Sequence, residues 1–244
     1  MTQAKTSFSP LFSVVIPMKN EEENVRPLIQ ELKTVMDSLQ KPWELIVVED
    51  GSTDQTLTKL KELAKTYSFL HILSFANNVG QSGAFDAGFT RAKGEFVITL
   101  DGDMQNDPHD IPALIDAVAT CDLVCGVRIN RHDPFSKRWI SRISNFIRSR
   151  ICQDGMRDTG CSLKIYRKAC LSKIKMYHGM HRFLPALFKI EGFRLKEIPV
   201  NHRDRTKGKS NYHFFNRSIR PLVDMFAVLW MRKRHLYYTI KEEI

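Results

Sequence analysis

The chain has no run of about 20 apolar residues, the length a helix needs to cross a bilayer. Its longest candidate, Leu222 to Met231, is short and carries Asp224. The first residues, MTQAKTSFSP, are polar and hold no apolar leader core, so no secretory signal is expected. The five cysteines, at 121, 125, 152, 161 and 170, are odd in number and form no C-x-x-C pair. That argues against a disulfide frame or a cysteine zinc site and for reduced thiols in a cytosolic setting. Neither a Walker A loop nor a G-x-G-x-x-G fingerprint is present, the nearest Gly-rich stretch being GQSGA at 80–84. ATPase and dehydrogenase readings lose their usual support. No helix-turn-helix, RRM or zinc pattern accompanies the basic charge, so nucleic acid is not the expected partner.

What is present suits a folded α/β protein. At 244 residues, 43% hydrophobic and 26% charged, the chain can bury a sizeable core. Its net charge of +10 is divided unevenly. Residues 1–125 hold 10 Lys/Arg against 18 Asp/Glu, a net of −8, and residues 126–244 hold 27 against 9, a net of +18. The basic half calls for an anionic partner.

Short β-branched runs at Phe12–Ile16, Leu45–Val48, His71–Phe75, Phe96–Leu100 and Leu123–Val127 read as buried strands. Between them Val25, Leu28, Ile29, Leu32, Val35, Met36 and Leu39, then Leu57, Leu60, Leu63, Ala64 and Tyr67, recur at helical spacing. Asn20 is expected to cap the first of these helices, with Glu21, Glu22 and Glu23 in its opening turn, and Asp54 the second. Such alternation predicts a mostly parallel, doubly wound sheet. Ligands then bind beyond the carboxyl ends of the strands. Polar groups gather there: Pro17 to Glu21, Glu49-Asp50, Asn77-Asn78, Asp101 to Gln105, and Arg128.

The most informative stretch is Gly94 to Pro108, GEFVITLDGDMQNDP. A buried strand ends abruptly in Asp101-Gly102-Asp103, with Gln105 following. If that segment stays extended, alternation points Asp101, Asp103 and Gln105 to one side. Three oxygen ligands so placed suit a hard divalent ion, Mg2+ or Mn2+.

Beyond residue 128 the pattern changes. Arg128 to Arg150 carries seven Lys/Arg and one acid, with Trp139, Ile140, Ile143, Phe146 and Ile147 at helical intervals. Ser162–Tyr166 and Phe193–Val200 read as further strands. Arg203, Arg205, Lys207 and Lys209 crowd a glycine turn at Gly208, and His202–Tyr212 is expected to be a mobile lid. From Phe214 a helix is expected, with Ile219, Leu222, Val223, Phe226, Leu229 and Trp230 as a stripe and Arg232-Lys233-Arg234 after it. That composition suits an anionic membrane surface, or packing on the chain's own domain.

SVVIPMKNEEENV, LIVVEDGSTDQT, NNVGQSGAFDAG and TLDGDMQNDP, in that order, resemble the family 2 glycosyltransferases of GT-A fold. GVRINR, KRWISRISN, DTGCSLKIYRK and HRDRTKGKSNY resemble the dolichol- or polyprenyl-phosphate sugar transferase branch. The resemblance covers residues 12–212. It implies a Rossmann-like, mostly parallel sheet flanked by helices, with a C-terminal amphipathic helix. It divides the chain into a nucleotide-sugar half at 8–127, an acceptor half at 128–212, together one domain over 1–212, and a helical segment at 213–244.

The same resemblance implies that Pro17, Lys19, Glu21 and Asp50 hold the base and ribose of a GDP- or UDP-linked sugar, beside Asp101 and Gly102. Asp101, Asp103 and Gln105 match the ligands of Mg2+ or Mn2+. Arg128, Lys137, Arg138 and Ser141 match phosphate contacts, as do Arg205 and Ser210 of the basic loop, which also holds Gly208. The usual Asp-Asp pair is Glu49-Asp50, and a lid lysine is replaced by Asn211. Many relatives carry two membrane-spanning helices after this domain, and no such stretch is found here.

The expected reaction is inverting transfer of a hexose-type sugar to a polyprenyl phosphate, with Asp103, Arg128 and Asp158 as the catalytic candidates. Transfer to a sugar or protein hydroxyl is the alternative, and would need a stronger general base. Asp103 and Asp158 are the carboxylates that could serve. Peripheral attachment to the cytoplasmic face of the membrane, with a possible integral-membrane partner, completes the expectation.

Overall fold

The computed structural model describes residues 9–129, 148–204 and 219–242. Seven strands form one sheet: β1 Phe12–Met18, β2 Trp43–Glu49, β3 Leu70–Ser74, β4 Phe96–Thr99, β5 Leu123–Arg128, β6 Lys164–Arg167 and β7 Leu195–Val200. Their spatial order is β3-β2-β1-β4-β6-β5-β7. β6 runs antiparallel to both its neighbours, β4 and β5, while the remaining pairings are parallel. Most carboxyl ends therefore open on one edge, where β6 instead begins.

Both faces of the sheet are covered, which is why its strands read as continuous apolar runs. Val14, Ile16, Leu45 and Val47 pack on one side, with Leu28 and Leu32 of α1 (Val25–Ser38), Leu60 of α2 (Thr56–Thr66) and Leu114 of α4 (Ile111–Val118). Their neighbours Val15, Ile46 and Val48 point oppositely, against Ala84 and Phe85 of α3 (Gln81–Arg91), with Leu184 and Phe188 of the helix Leu184–Ile190 on the same side. Each such side chain contributes about 1.5–3 kcal/mol on burial. α3 lies close on β1 because residue 88 is glycine; a Cβ there would collide with Val15 Cγ1.

Three local expectations are corrected. Asn20 does not cap α1: the helix starts at Val25 with Asn24 as its N-cap residue, and no acid lies in its first turn. Asn20 sits at φ 55°, a region asparagine tolerates, and its Oδ1 accepts from Thr53 N at 2.8 Å. Glu22 likewise accepts from Gln55 N at 3.0 Å, so these polar groups join two strand-end loops. Nor is Asp54 the N-cap of α2: that residue is Gln55, with no side-chain cap bond, and Asp54 just before it accepts from Thr56 N at 2.9 Å.

The segment after β4 is not extended. Residues 102–103 turn and Met104 sits at φ 61°, so alternation along a strand does not deliver Asp101, Asp103 and Gln105 to one side. A chain leaving a buried strand toward a capped helix start has to reverse. Asp107 accepts from His109 N at 2.9 Å and opens a 3-10 turn, Pro108–Asp110, ahead of α4.

At the C-terminus the helix Ile219–Arg234 buries Met225 and Val228 against Met180, Phe183 and Leu187. Much of the stripe read from the sequence faces outward: Val223, Phe226 and Trp230 are 61–64% exposed. Helical periodicity puts positions 225 and 228 on one arc and 223, 226 and 230 on another. No helix among the described residues is long and apolar enough to cross a membrane. All five cysteines are buried and free.

Candidate donor and phosphate site

The end of β4 lies between β1 and β6, and all three contribute. Gly102 is seated on β1: a Cβ there would stand 2.9 Å from Met18 Cγ and 3.2 Å from the Pro17 carbonyl oxygen. Pro17 extends β1 past the last β4 pairing, at Val15↔Thr99, so its missing N–H removes no bond on that side. Asp101 N donates to Asn106 Oδ1 at 3.1 Å, and Ser162 Oγ reaches the same oxygen at 2.7 Å. Gln105 N donates to Asp103 Oδ1 at 3.1 Å. Gln81, the first residue of α3, places Nε2 2.8 Å from Asp101 Oδ1.

Burial, then the charge of Asp103, pushes the Asp101 carboxyl up to about 6, against the opposing pull of the Ser162 hydroxyl, Lys164 and Arg128. Like charges held together in a partly buried turn raise one pKa. A divalent cation would relieve that repulsion, so the donor set fits Mg2+ or Mn2+.

Arg128 ends β5 and meets Asp158 as a two-pronged pair, Nε to Oδ2 at 2.7 Å and Nη2 to Oδ1 at 2.8 Å. The carboxylate also accepts from Gly160 N at 3.2 Å. Both oxygens of Asp158 are thus engaged, and the fork fixes the plane of the guanidinium. Behind it, buried Lys164 Nζ donates to the carbonyls of Thr159 and Cys161.

The acidic pair after β2 is put to another use. Asp50 accepts from Val79 N at 2.7 Å, from Gly80 N at 2.9 Å and from Asn78 Nδ2. Glu49 accepts from Ser52 N and from Ser74 Oγ, the latter at 2.8 Å. Glu21 Oε2 takes Asn24 Nδ2 at 2.6 Å. Lys19 is half-buried in the same strand-end loop. Deeper in, Ser82 Oγ and His181 Nδ1 lie 2.6 Å apart, and burial, with Arg182 and Lys164 nearby, pushes the His181 imidazole down to about 3.

The structure therefore brings Pro17, Asp101, Gly102, Asp103, Gln105, Arg128 and Asp158 to one region, with Lys19, Glu21 and Asp50 in the neighbouring loops. Lys137, Arg138, Ser141, Arg205, Gly208, Ser210 and Asn211 lie outside the described residues, as do Trp139–Ile147 and most of the expected lid. Sequence reasoning missed Gln81, Asn106, Ser162 and Lys164. Each lies within or beside a block already singled out, but its role depends on contacts across the sheet.

The sequence model described as Glycosyl transferase family 2 matches residues 13–175. A dodecaprenyl-phosphate galacturonate synthase of Rhizobium johnstonii is 37% identical over 227 residues, covering 91% of this chain and 67% of its own length. An undecaprenyl-phosphate 4-deoxy-4-formamido-L-arabinose transferase of Salmonella choleraesuis is 38% identical over 220 residues, with coverages of 89% and 67%. Among solved structures, the mannosyltransferase PcManGT of Pyrobaculum calidifontis, in complex with GDP-Man and Mn2+, superposes with a TM-score of 0.65 at 20% identity. That match covers 91% of this chain and 64% of the mannosyltransferase chain. Glucosyl-3-phosphoglycerate synthase of Mycobacterium tuberculosis, with Mn2+ and UDP-glucose, gives 0.67 at 18% identity over 91% of this chain and 79% of its own. At these identities the two structures bear on the fold alone.

Proposed function

Because the chain belongs to glycosyl transferase family 2, we propose that it is an inverting transferase moving a hexose-type sugar from a GDP- or UDP-linked donor to a polyprenyl phosphate. The observation that carries this reading is the junction of Asp101 and Asp103 with the Arg128–Asp158 fork at one strand-end edge. Departure of a nucleoside diphosphate concentrates negative charge where the anomeric bond breaks. A guanidinium locked in orientation by Asp158 meets that charge without having to reorganise.

Asp101, Asp103 and Gln105 would hold Mg2+ or Mn2+, which when bound offsets the charge of the donor diphosphate. Pro17, Lys19, Glu21 and Asp50 would border the base and ribose. The state of Asp158, one of the two carboxylates that could serve as base, supports this acceptor class. A hydroxyl acceptor needs a base to take its proton, and both oxygens of Asp158 are on Arg128. A lipid phosphate is already ionised near neutral pH and attacks without one. Both curated relatives described above are by name transferases to or synthases on a prenyl phosphate.

Attachment is proposed to be peripheral, at the cytoplasmic face, through the outward arc Leu222, Val223, Phe226 and Trp230 followed by exposed Lys233 and Arg234, Arg232 being half-buried. Each such cation contributes about 1 kcal/mol near an anionic surface, and apolar insertion adds to it. An integral-membrane partner could strengthen the contact.

The test is transfer of labelled sugar from UDP- and GDP-linked donors, with Mn2+ or with EDTA, to undecaprenyl phosphate and to hydroxyl acceptors. Label extracted into organic solvent as an acid-labile lipid product, lost with EDTA, is expected. Label on a hydroxyl acceptor alone would overturn the lipid-phosphate reading.

A further inference from the structure

Arg203 stands two residues before Arg205, in a stretch whose cations the sequence presents as one group. Its guanidinium is committed elsewhere. Nη1 and Nη2 donate to Glu31 Oε2 and Oε1 at 2.9 and 2.6 Å, and Nη2 lies 2.7 Å from Asp107 Oδ1. Glu31 belongs to α1 and Asp107 opens the 3-10 turn that follows the acidic turn. His109 Nδ1 completes the cup, 2.9 Å from Asp107 Oδ1 and 3.4 Å from Glu31 Oε1. Glu31, Asp107 and His109 are close enough together to hold a metal ion, but the cation in their midst is the guanidinium itself.

The main chain is fastened at the same place. Arg203 N donates to the Gln105 carbonyl at 2.9 Å, and Asn106 and His202 form an antiparallel bridge. One residue earlier, Asn201 N and Nδ2 donate to Asp110 Oδ2 and Oδ1 at 2.7 and 2.9 Å. Residues 201–203 are thus zipped along 105–110. That strip is continuous with the acidic turn, since Asn106 Oδ1 accepts from Asp101 N.

We propose that Arg203 is a positioning residue: seated in the Glu31–Asp107 cup, it fixes where the basic stretch departs relative to the acidic turn, and it does not meet the substrate's phosphates. Three of its five N–H donors are committed to two carboxylates, which already compensate its charge and hold its plane. The inference rests on the reading of the acidic turn as the donor site. It predicts that Arg203 and Glu31 act as one unit, whereas a cation serving phosphate directly would work without its carboxylate.

The experiment is a double-mutant cycle of Arg203→Gln and Glu31→Gln, read by kcat/KM with saturating Mn2+ and by hydrogen exchange at the Arg203 amide. Each single change is expected to lower kcat/KM about five- to tenfold and the pair no further, because both remove the same contact. Arg203→Lys should recover only part of the loss, lacking the planar fork. The Arg203 amide should exchange faster in Glu31→Gln. Loss of activity in Arg203→Gln with wild-type rates in Glu31→Gln would overturn the proposal, as would two neutral variants. Should the wild-type chain transfer no sugar, the functional reading fails, and amide exchange still decides the tether: unchanged exchange in Glu31→Gln sinks it.

Discussion

Two carboxylate pairs sit at the carboxyl ends of β2 and β4, the strands on either side of β1. Glu49 and Asp50 spend their oxygens on the protein, accepting from Ser52, Ser74, Asn78, Val79 and Gly80. Asp101 and Asp103 instead share one turn, in which burial and the charge of Asp103 raise the cost of charging Asp101. A carboxylate saturated with N–H donors organises a loop; two held together keep capacity for a cation. The first residues of α3 touch both pairs, Gly80 N on Asp50 and Gln81 Nε2 on Asp101. A single helix start therefore ties the loop-organising acid Asp50 to Asp101.

The comparison breaks most sharply at Asp103. Asp103→Asn should lower turnover about 100-fold or more and weaken Mn2+ binding, as loss of a ligand does. Its melting temperature should hold or rise, because a like charge has gone. Calorimetry of Mn2+ with UDP or GDP, beside a thermal melt, reads both. Unchanged donor affinity would dissolve the distinction between the pairs.

Asp50→Asn should do the reverse. Weakening a charged acceptor of buried N–H groups costs about 1–3 kcal/mol of stability, with Mn2+ affinity largely kept. Urea unfolding measures the first and the same calorimetry the second. A variant of normal stability that no longer binds metal would show that the two pairs share one job.

A third test concerns the helix start that joins them, braced by the Ser82–His181 bond. In the folded chain the His181 imidazole is held down at about 3, against an ordinary 6.5. Between those values the unfolded chain binds the additional proton. Stability should therefore fall as pH drops from about 6.5 toward 3, by up to about 1.4 kcal/mol per pH unit from this group. His181→Gln should flatten that part of the curve by about one proton. An unaltered slope would exclude His181 as the source.

The smallest change in fold is expected at Phe226→Ser with Trp230→Ser, since both side chains are more than 60% exposed. Stability should shift by no more than about 0.5 kcal/mol per site, while co-sedimentation with anionic vesicles at low salt should drop. Undiminished binding would move the membrane contact off this arc.

Much of the fold was legible because a doubly covered sheet demands unbroken β-branched runs, and Phe12–Ile16 and Leu45–Val48 could hardly read otherwise. The α1 residues Val25 to Met36 announced their buried face by spacing alone. Asn20 misled because capping and loop-tying use the same amide chemistry; its choice of Thr53 depended on a loop 33 residues away. The acidic turn was recognisable by composition but not by shape, since alternation holds only in extended chain. Ser162 and Lys164 carry no local mark of their roles. What makes them part of the site is β6, inserted antiparallel between β4 and β5 so that its beginning lands where its neighbours end.

That insertion also sets an order of assembly. β5 pairs only with β6 and β7, both of which follow it in the chain. As the polypeptide emerges during synthesis, β1 to β4 can zip together from residues 12–99 while β5 has nothing to pair with. The acidic turn is translated directly after that portion, yet its last hydrogen bonds wait for Ser162, and then for Arg203. Contacts of such sequence separation form late and slowly. The nascent chain thus carries its acidic turn unfinished until the basic half arrives to complete it.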